Sequence, residues 1–526
     1  MKTSWNKLFT AAISILTAAI ILAGCGAAGE SAPPPQQGGT AAEEVSGVDT
    51  SEFVTLKMFS ISDAPNNQEM ADAYYPILNE MTRQKLNAVI DITYAAGNDY
   101  ANNYALALAS GDPYDLLHAA SGWLSFESNA LKGAFYDLTD MIPKFAPTLW
   151  DIVGEDRWEA VKINGKIYGV PSTYNSYAEP SFYYREDLRK KYNCPEIVDL
   201  ETIGIFLQAI KDNEPELLPS DDYQAQVYGT SFIYNTPYQI VDSQNDRHSN
   251  FVINPDDPRK VLSTLETPEY LPFMKLMKEW QGKGYWPSSV LSSTDWGVFS
   301  VNNGKAAASF NGQMTNYAYM VPQTEQEHPG WEMNYFVYGL GNPDSVIAGG
   351  SARGQMMACS RNAANPERAL MFAELMHTDE ELFRLTNYGI EGTHYQITDG
   401  KLDRTILTDP VTQRFNYFAG SIWDDSVFHL DAIDDWSRRP EFDRQLNERR
   451  RNILDGFVLD LSPIEAEYTA VGQLRIELGF PLQAGLVADV DAAYEEFKQR
   501  SLDTGLETCR LEIERQINAF LDSKGL

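Results

Sequence analysis

The chain has 526 residues, too many for one ordinary hydrophobic core, so two or three domains are expected. Hydrophobic residues make up 43% and charged residues 22%, the balance of a globular body rather than a disordered or fibrous one. A formal charge of −33 repels nucleic acid and acidic head groups alike, and reads as a solvated acidic surface rather than a trap for cations.

At the N-terminus Lys2 and Lys7 form a charged region ahead of an apolar run, Leu8 to Leu22, which leads into Leu22-Ala23-Gly24-Cys25. Such a segment is a secretory signal ending in a bacterial lipobox, in which small residues fit a peptidase cleft and the cysteine thiol takes the lipid. An uncleaved anchor helix is the alternative. Residues 1–24 are thus expected to be removed, leaving the chain lipid-anchored through Cys25 on the outer face of the cytoplasmic membrane. Residues 25–50, rich in Ala, Gly, Ser, Pro and Gln, bury too little apolar surface to order themselves. As a flexible tether they would reach roughly 25–30 Å. No second apolar run is long enough to span a bilayer.

Phe53 to Ile61 reads as a strand, and Asn66 to Leu86 as a helix with Met70, Tyr74, Ile77, Leu78 and Met81 on one side. Val89 to Tyr94 is a strand, Tyr100 to Ala109 a helix and Tyr114 to Ala119 a strand, an alternation that argues for βαβ units and a parallel sheet. Ligands bind beyond the carboxyl ends of such strands. The loops after Ile61 and Ala119 are therefore candidates, which singles out Asp63 and Trp123, the latter behind Ser121-Gly122.

Asn164-Gly165 is a hairpin signal, with Val161 and Ile163 before it and Ile167, Tyr168 and Val170 after it in strand-like order. Pro171 should end the strand, since it cannot donate to a ladder. The polar and aromatic stretch beyond it holds Tyr174 and Asn175, and Phe182 to Leu188 begins a new unit. This stretch is read as the first crossing between two lobes, with an ordinary hairpin within one domain as the alternative.

Leu200 to Asp212 and Glu269 to Lys283 have helical spacing, while Tyr223 to Asn254 has no assignable pattern. Asp295 to Asn303 reads as a short helix led by Trp296, followed by a small-residue strand through Asn311 to Gly312. Trp331 to Gly341 should leave the second lobe and Ala348 to Ser360 re-enter the first. Pro366 to Leu385 should be one helix capped by Asn365. Ser462-Pro463-Ile464-Glu465 reads as a capping box, and two apolar stripes follow: Val490, Tyr494 and Phe497, then Leu506, Cys509, Ile513, Ile517 and Phe520. Cys194, Cys359 and Cys509 are too scattered for a disulfide framework or metal cluster and read as small buried apolar residues.

A lipobox, a tether and a two-lobed α/β body resemble the solute-binding lipoproteins of ATP-binding-cassette (ABC) importers. Asn164-Gly165-Lys166-Ile167-Tyr168-Gly169-Val170-Pro171 is similar to the first lobe crossing of their sugar-binding branch, family 1. Asn387-Tyr388-Gly389-Ile390-Glu391-Gly392-Thr393-His394-Tyr395, with Asp460-Leu461-Ser462-Pro463-Ile464-Glu465 and the last helices, resembles a Gram-positive subfamily with a characteristic C-terminal region, the LplA-like proteins. The chain departs from that subfamily after Trp423, where Asp424-Asp425-Ser426 replaces a glycine-asparagine pair. The resemblance implies an α/β, two-lobed, periplasmic-binding-protein-like fold of type II, with discontinuous lobes joined by a hinge. Lobe I would take residues 51–170 plus 342–395, and lobe II 171–341 plus 396–526. It further implies a monomer that takes a carbohydrate, in particular an oligosaccharide, into an interlobe cleft and delivers it to ABC permease subunits.

No enzyme signature stands against this. His-Glu-x-x-His and the phosphate-binding Gly-x-x-x-x-Gly-Lys-Ser/Thr are absent, and Gly349-Gly350-Ser351-Ala352-Arg353 has arginine where a nucleophile elbow needs its second glycine. The six histidines lack ligand spacing, so no catalytic residue, metal or cofactor is assigned. The acid pairs Asp424-Asp425 and Asp434-Asp435 leave a tethered glycoside hydrolase or lyase as an alternative, and a tethered sensor or adhesin without a transporter is another. Aromatics are abundant, with 28 Tyr and 10 Trp. A sugar offers a C–H face that suits an aromatic ring and a hydroxyl rim that suits Asp, Asn or Glu. Trp123, Tyr174, Trp296 and Trp423 are the aromatic candidates, and Asp63, Asn175, Asn311 and Glu391 the polar ones, while Trp150 and Trp280 are assigned to the core.

Overall fold

The structure is a computed structural model that describes residues 49–62, 68–95, 100–122, 124–173, 180–222, 231, 233, 235–241, 250–293, 296–340, 342, 344–346, 352–404, 406–407, 437–438, 440, 444, 452–454 and 456–526. Strand β1 (Val54–Ser60) lies between β2 (Ala88–Tyr94) and β3 (Leu116–Ala119) and runs parallel to both. Helices α1 (Gln68–Leu86) and α2 (Tyr100–Ser110) make the crossovers. In α1 the buried stripe steps by four through Tyr74, Leu78, Thr82 and Leu86, which leaves Ile77, expected inside, exposed.

Helices α3 (Phe126–Leu131), α4 (Ile142–Phe145), α5 (Pro147–Val153) and α6 (Glu155–Val161) follow, then β4 (Val170–Pro171). Val161 ends α6 rather than beginning a hairpin strand. The Asn-Gly reversal itself is present: Asn164 and Gly165 take φ of 52° and 77°, and Ile163 N–H donates to Lys166 O at 2.9 Å. The strand stops at Pro171, which has no N–H to continue the ladder.

Beyond Pro171 the chain enters a second sheet. Its members are β5 (Pro180–Arg185), then after α7 (Glu186–Lys191) and α8 (Leu200–Asn213) β6 (Leu218–Ser220), and later in the chain two more. Asp199 caps α8 by accepting from Thr202 N–H at 2.8 Å, and Ile203, Phe206, Leu207 and Ile210 form its buried face, as their spacing requires. The stretch without a sequence pattern contributes β7 (Gln239–Ile240) and β8 (Phe251–Asn254), which with β9 (Asp257–Ser263) make a small three-stranded sheet. Then come α9 (Tyr270–Gly282), α10 (Gly297–Asn302), β10 (Ala306–Gln313), α11 (Met314–Glu327) and β11 (Met333–Val337). The second sheet has the order β11-β5-β10-β6, with β5 antiparallel to both neighbours and β6 parallel to β10. Near its end β10 is irregular, and Gly312 is obligatory there: a Cβ would sit 2.7 Å from Tyr183 Cβ and 3.0 Å from Ser181 O.

The chain returns to the first sheet as β12 (Met356–Ala358), antiparallel to β3 and β4, giving the order β2-β1-β3-β12-β4. The first sheet is therefore parallel except for this strand, which arrives from the other direction. The helix expected over 366–385 is two, α12 (Pro366–Thr378) and α13 (Glu380–Asn387), broken at Asp379, whose side chain caps the second by accepting from Leu382 N–H at 2.9 Å. Asn365 does not cap α12 with its side chain; instead its backbone N–H donates to Asp115 Oδ1 at 2.6 Å. The hairpin β13 (Gln396–Thr398) and β14 (Lys401–Asp403) precedes α14 (Glu465–Leu474), α15 (Val490–Thr504) and α16 (Leu506–Lys524). Helix α14 begins at Glu465 without a side-chain cap, so Ser462-Pro463-Ile464-Glu465 is no capping box.

Apolar side chains collect in two main cores. One lies on the first sheet and includes Leu56, Leu116, Met356 and Phe372. The other lies on the second sheet and joins Phe182, Phe206, Trp280 and Phe310 to the C-terminal stripes, with Val490, Tyr494, Phe497, Cys509, Ile513 and Ile517 all buried. Cys194, Cys359 and Cys509 are free thiols inside these cores. Among the described residues no helix is long and apolar enough to cross a membrane.

Candidate functional site

Parallel strands β1 and β3 end side by side: Phe59 is level with Leu117, so the loops after Ser60 and after Ala119 emerge at the same sheet edge. Antiparallel β12 begins where β3 ends, Met356 facing Ala119, and β4 ends there too, Met356 facing Pro171. One edge therefore gathers Ser62, Ser121, Gly122, Arg353, Gln355 and Ser172. Short bonds lace it: Ser60 Oγ lies 2.6 Å from Ser62 Oγ, Ser172 N–H donates to Gln355 O at 2.9 Å, and Ser121 N–H to Arg353 O at 2.8 Å. Gly122 takes φ of 70°, the sharp turn expected just before Trp123. His118 Nε2 lies 2.6 Å from Gln355 Oε1, and burial holds its pKa down at about 4, so the ring is neutral.

At this edge Arg353 links four parts of the chain. Its guanidinium pairs with Glu127 of α3 and donates to Lys162 O at 3.1 Å, Gly456 O at 3.1 Å and Phe457 O at 3.2 Å. Glu127 also accepts from Ser121 Oγ.

A second edge lies at the end of β10. Pro180, the first residue of β5, pairs with Gln313, and Gly312 with Ser181, so the crossing from Pro171 delivers the chain beside Asn311. Nine residue steps span at most about 30 Å, which bounds the distance between the two edges. Trp296 and Asn311, both candidates, meet here: Trp296 Nε1–H donates to Asn311 O at 3.1 Å. Trp296 is half-buried and stands edge-on to Phe299, ring centroids 5.3 Å apart at 88°. Phe299 is 49% exposed and was not among the sequence candidates, although its i+3 spacing from Trp296 on a short helix was visible.

Glu391 is apart from both edges in the described bonding. It is exposed in a compact loop where Gly389 and Gly392 take φ of 87° and 80° and Tyr388 and Tyr395 pack edge to face at 5.7 Å. His394 Nδ1 accepts from Ile390 N–H at 3.0 Å, so much of the 387–395 motif serves its own fold. Asp63, Trp123, Tyr174, Asn175, Trp423 and Cys25 lie outside the described residues, as do both acid pairs and the signal segment. Trp280 is core as expected, whereas Trp150 is half-buried, stacked on Trp158 at 5.2 Å.

Two surface hollows lie elsewhere. One of about 520 Å³ is lined by Leu200, Gly204, Ile205, Leu276, Trp280 and Tyr285. The other, of about 460 Å³, is lined by Trp150, Asp151, Glu155, Trp158, Glu159 and Lys162. Neither includes Trp296, Asn311 or Glu391, and ligands of open α/β sheets sit at strand ends rather than in such hollows. Among the described residues no group of three or more His, Cys, Asp or Glu side chains could hold a metal ion.

A family model described as bacterial extracellular solute-binding protein matches residues 77–389. A second, described as a domain of unknown function (DUF3502), matches residues 453–522. A carbohydrate ABC transporter substrate-binding protein of Streptococcus pneumoniae serotype 4 (strain ATCC BAA-334 / TIGR4) is 23% identical over 536 residues, covering 99% of each chain. Among solved structures, the chain is similar to the N-glycan transport solute binding protein (NgtS) from Streptococcus pneumoniae, with TM-score 0.74 and 21% identity over 89% of this chain and 99% of that one. The same protein in complex with Man5GlcNAc gives TM-score 0.68 and 21% identity over 90% and 99%. The fold is the α/β, type II periplasmic-binding-protein-like one.

Proposed function

Since the chain belongs to the bacterial extracellular solute-binding protein family, we propose that it captures a carbohydrate, specifically an oligosaccharide, between two lobes and hands it to an ABC permease. The observation that carries this is the crossing: it ties the carboxyl edge of the first sheet to the end of β10, where Gln313 pairs with Pro180. Both edges then border one cleft. Residues 51–170 plus 342–395 act as one lobe and 171–341 plus 396–526 as the other. Asp63, Trp123, Tyr174, Asn175, Trp296, Asn311, Glu391 and Trp423 supply rings and polar rims to the ligand.

Lobes joined by a few strands can rotate, and a ligand that touches both favours the closed state by its differential affinity. Binding, rather than catalysis, is the reading that the family and its named relatives support. The lipid on Cys25 keeps the body beside the permease at the cell surface. The solute is tested by calorimetry with Man5GlcNAc, kestose and an alginate trisaccharide, sugars of the kinds named for solved structures of the same fold, and closure by small-angle scattering with the one that binds. A smaller radius of gyration at saturation is expected. An unchanged radius with bound sugar would sink hinge capture and favour a rigid enzyme or adhesin.

A further inference from the structure

We propose that Asp222 is a positioning residue of the β10 edge: its buried carboxylate fixes the strand end that carries Asn311 and, through Asn311, the Trp296 ring. This rests on the reading of Trp296 and Asn311 as solute contacts.

The geometry is a short chain of bonds. Asp222 follows β6 and is wholly buried. Its Oδ1 accepts from Ser309 Oγ at 2.6 Å, and its Oδ2 from Phe310 N–H at 2.9 Å and Ser220 Oγ at 3.0 Å. Ser309 Oγ in turn accepts from Asn311 N–H at 3.0 Å, and Asn311 O accepts from the Trp296 indole at 3.1 Å. From Asp222 to the ring there are thus three hydrogen bonds and two residues. Helix α10 closes over the carboxylate only because residue 297 is glycine; a Cβ there would collide with Asp222 Oδ1 and Ser309 Oγ. Tyr338 OH donates to Phe310 O at 3.0 Å and holds the strand from the other side.

Protonation should be felt along this chain. A proton on Oδ1 has to be donated to Ser309 Oγ, which must then turn its own hydrogen away while still receiving Asn311 N–H. Burial pushes the Asp222 carboxyl up to about 6, against the three bonds that favour its ionised form. The charged and titratable groups around it are Asp221, which raises it further, Lys305, which pairs with Asp221 at 2.6 Å, and the Tyr338 phenol.

The test follows the Trp296 indole N–H by nitrogen-15 NMR on the full chain, its signal assigned by its loss in Trp296→Phe. Titrated from about pH 4.5 to 8, it should show an inflection near the carboxyl's midpoint. Asp222→Asn should flatten the curve, and Ser309→Ala, which cuts the link but keeps the acid, should shrink its amplitude by half or more. A flat wild-type curve, or an inflection that survives Asp222→Asn, overturns the proposal; should Asp222→Asn fail to fold, wild type and Ser309→Ala decide. Calorimetry with Man5GlcNAc, kestose and an alginate trisaccharide keeps the two readings apart. Wild-type protein that binds none of them sinks the carbohydrate reading and leaves the indole titration to judge the positioning role.

Discussion

Arg353 and Glu127 form an ion pair 3.5 Å apart with their side chains only 6% and 2% exposed. Two such charges are costly to take out of water, and the cost is offset here by the carbonyls of Lys162, Gly456 and Phe457 on the arginine and the Ser121 hydroxyl on the glutamate. The pair therefore fixes the loop after β3 against both the segment leading to the crossing and the C-terminal segment, which continues into the second core. It is a device of assembly first.

Arg353→Met is expected to destabilise the protein by about 3–5 kcal/mol, because it strands a buried carboxylate. The double variant Arg353→Met with Glu127→Leu should recover much of that loss. Urea unfolding of both measures it. If the single variant loses less than about 1 kcal/mol, the pair is not the staple described.

Stability should also carry the signature of Asp222. Its folded-state carboxyl lies near 6 against an ordinary value of 3.8, so between those values the folded state holds a proton that the unfolded chain has released. This contribution is fully present below about pH 4 and is lost as pH rises through 6, by roughly 2–3 kcal/mol. Glu186, Glu214 and Asp137, held low by Arg189, Lys191 and Lys166, work in the opposite sense, so the wild-type profile alone is uninformative. The difference between wild type and Asp222→Asn isolates the contribution of this one carboxyl: wild type should lose ground to the variant from about pH 4 to 6 and run parallel to it above. A constant difference would show an ordinary carboxyl.

Where side-chain period sets the element, the sequence was legible. Helix α8 buries Ile203, Phe206, Leu207 and Ile210, and α15 and α16 bury Val490, Tyr494, Phe497, Ile513 and Ile517, because steps of three and four meet one face. Strand β7 has two residues, too few to display a period, and its sheet is not legible in the sequence. The antiparallel entry of β12 was equally hidden, since direction is a property of the partner strand and not of Met356-Met357-Ala358. At the candidate site, Trp296 was readable as an aromatic at a helix start and Asn311 as a polar residue at a strand end, but their bond joins positions 15 apart. Asp222 was invisible for a different reason: in a chain with 74 acidic residues, nothing local marks the one that turns inward.

Anchoring is tested at Cys25. Cys25→Ala removes the thiol that would take the lipid, and the variant is expected in the medium or soluble fraction with an unchanged melting temperature. If the lipid is what holds the body to the membrane, its loss should shift most of the protein from the membrane to the soluble fraction. A variant that fractionates with membranes as the wild type does would remove the lipobox reading and leave an uncleaved helix.

Trp296 offers the most direct test of the site, because its two roles separate by substitution. Trp296→Phe keeps an aromatic face and loses the bond to Asn311 O; Trp296→Ala loses both. If the ring stacks on a sugar, Ala should weaken binding by about 2–4 kcal/mol, the range of an aromatic hot spot, and Phe by appreciably less. If the ring is merely packing against Phe299 and its neighbours on the second sheet, Ala should lower the ligand-free melting temperature and spare affinity in the fraction that folds. Because the ring is half-buried, some loss of stability is expected either way, and the ratio of the two effects decides between the roles. Differential scanning calorimetry without ligand, set beside titration calorimetry with the sugar that binds, measures both. Unchanged affinity in a folded Trp296→Ala protein would take the β10 edge out of the proposed site.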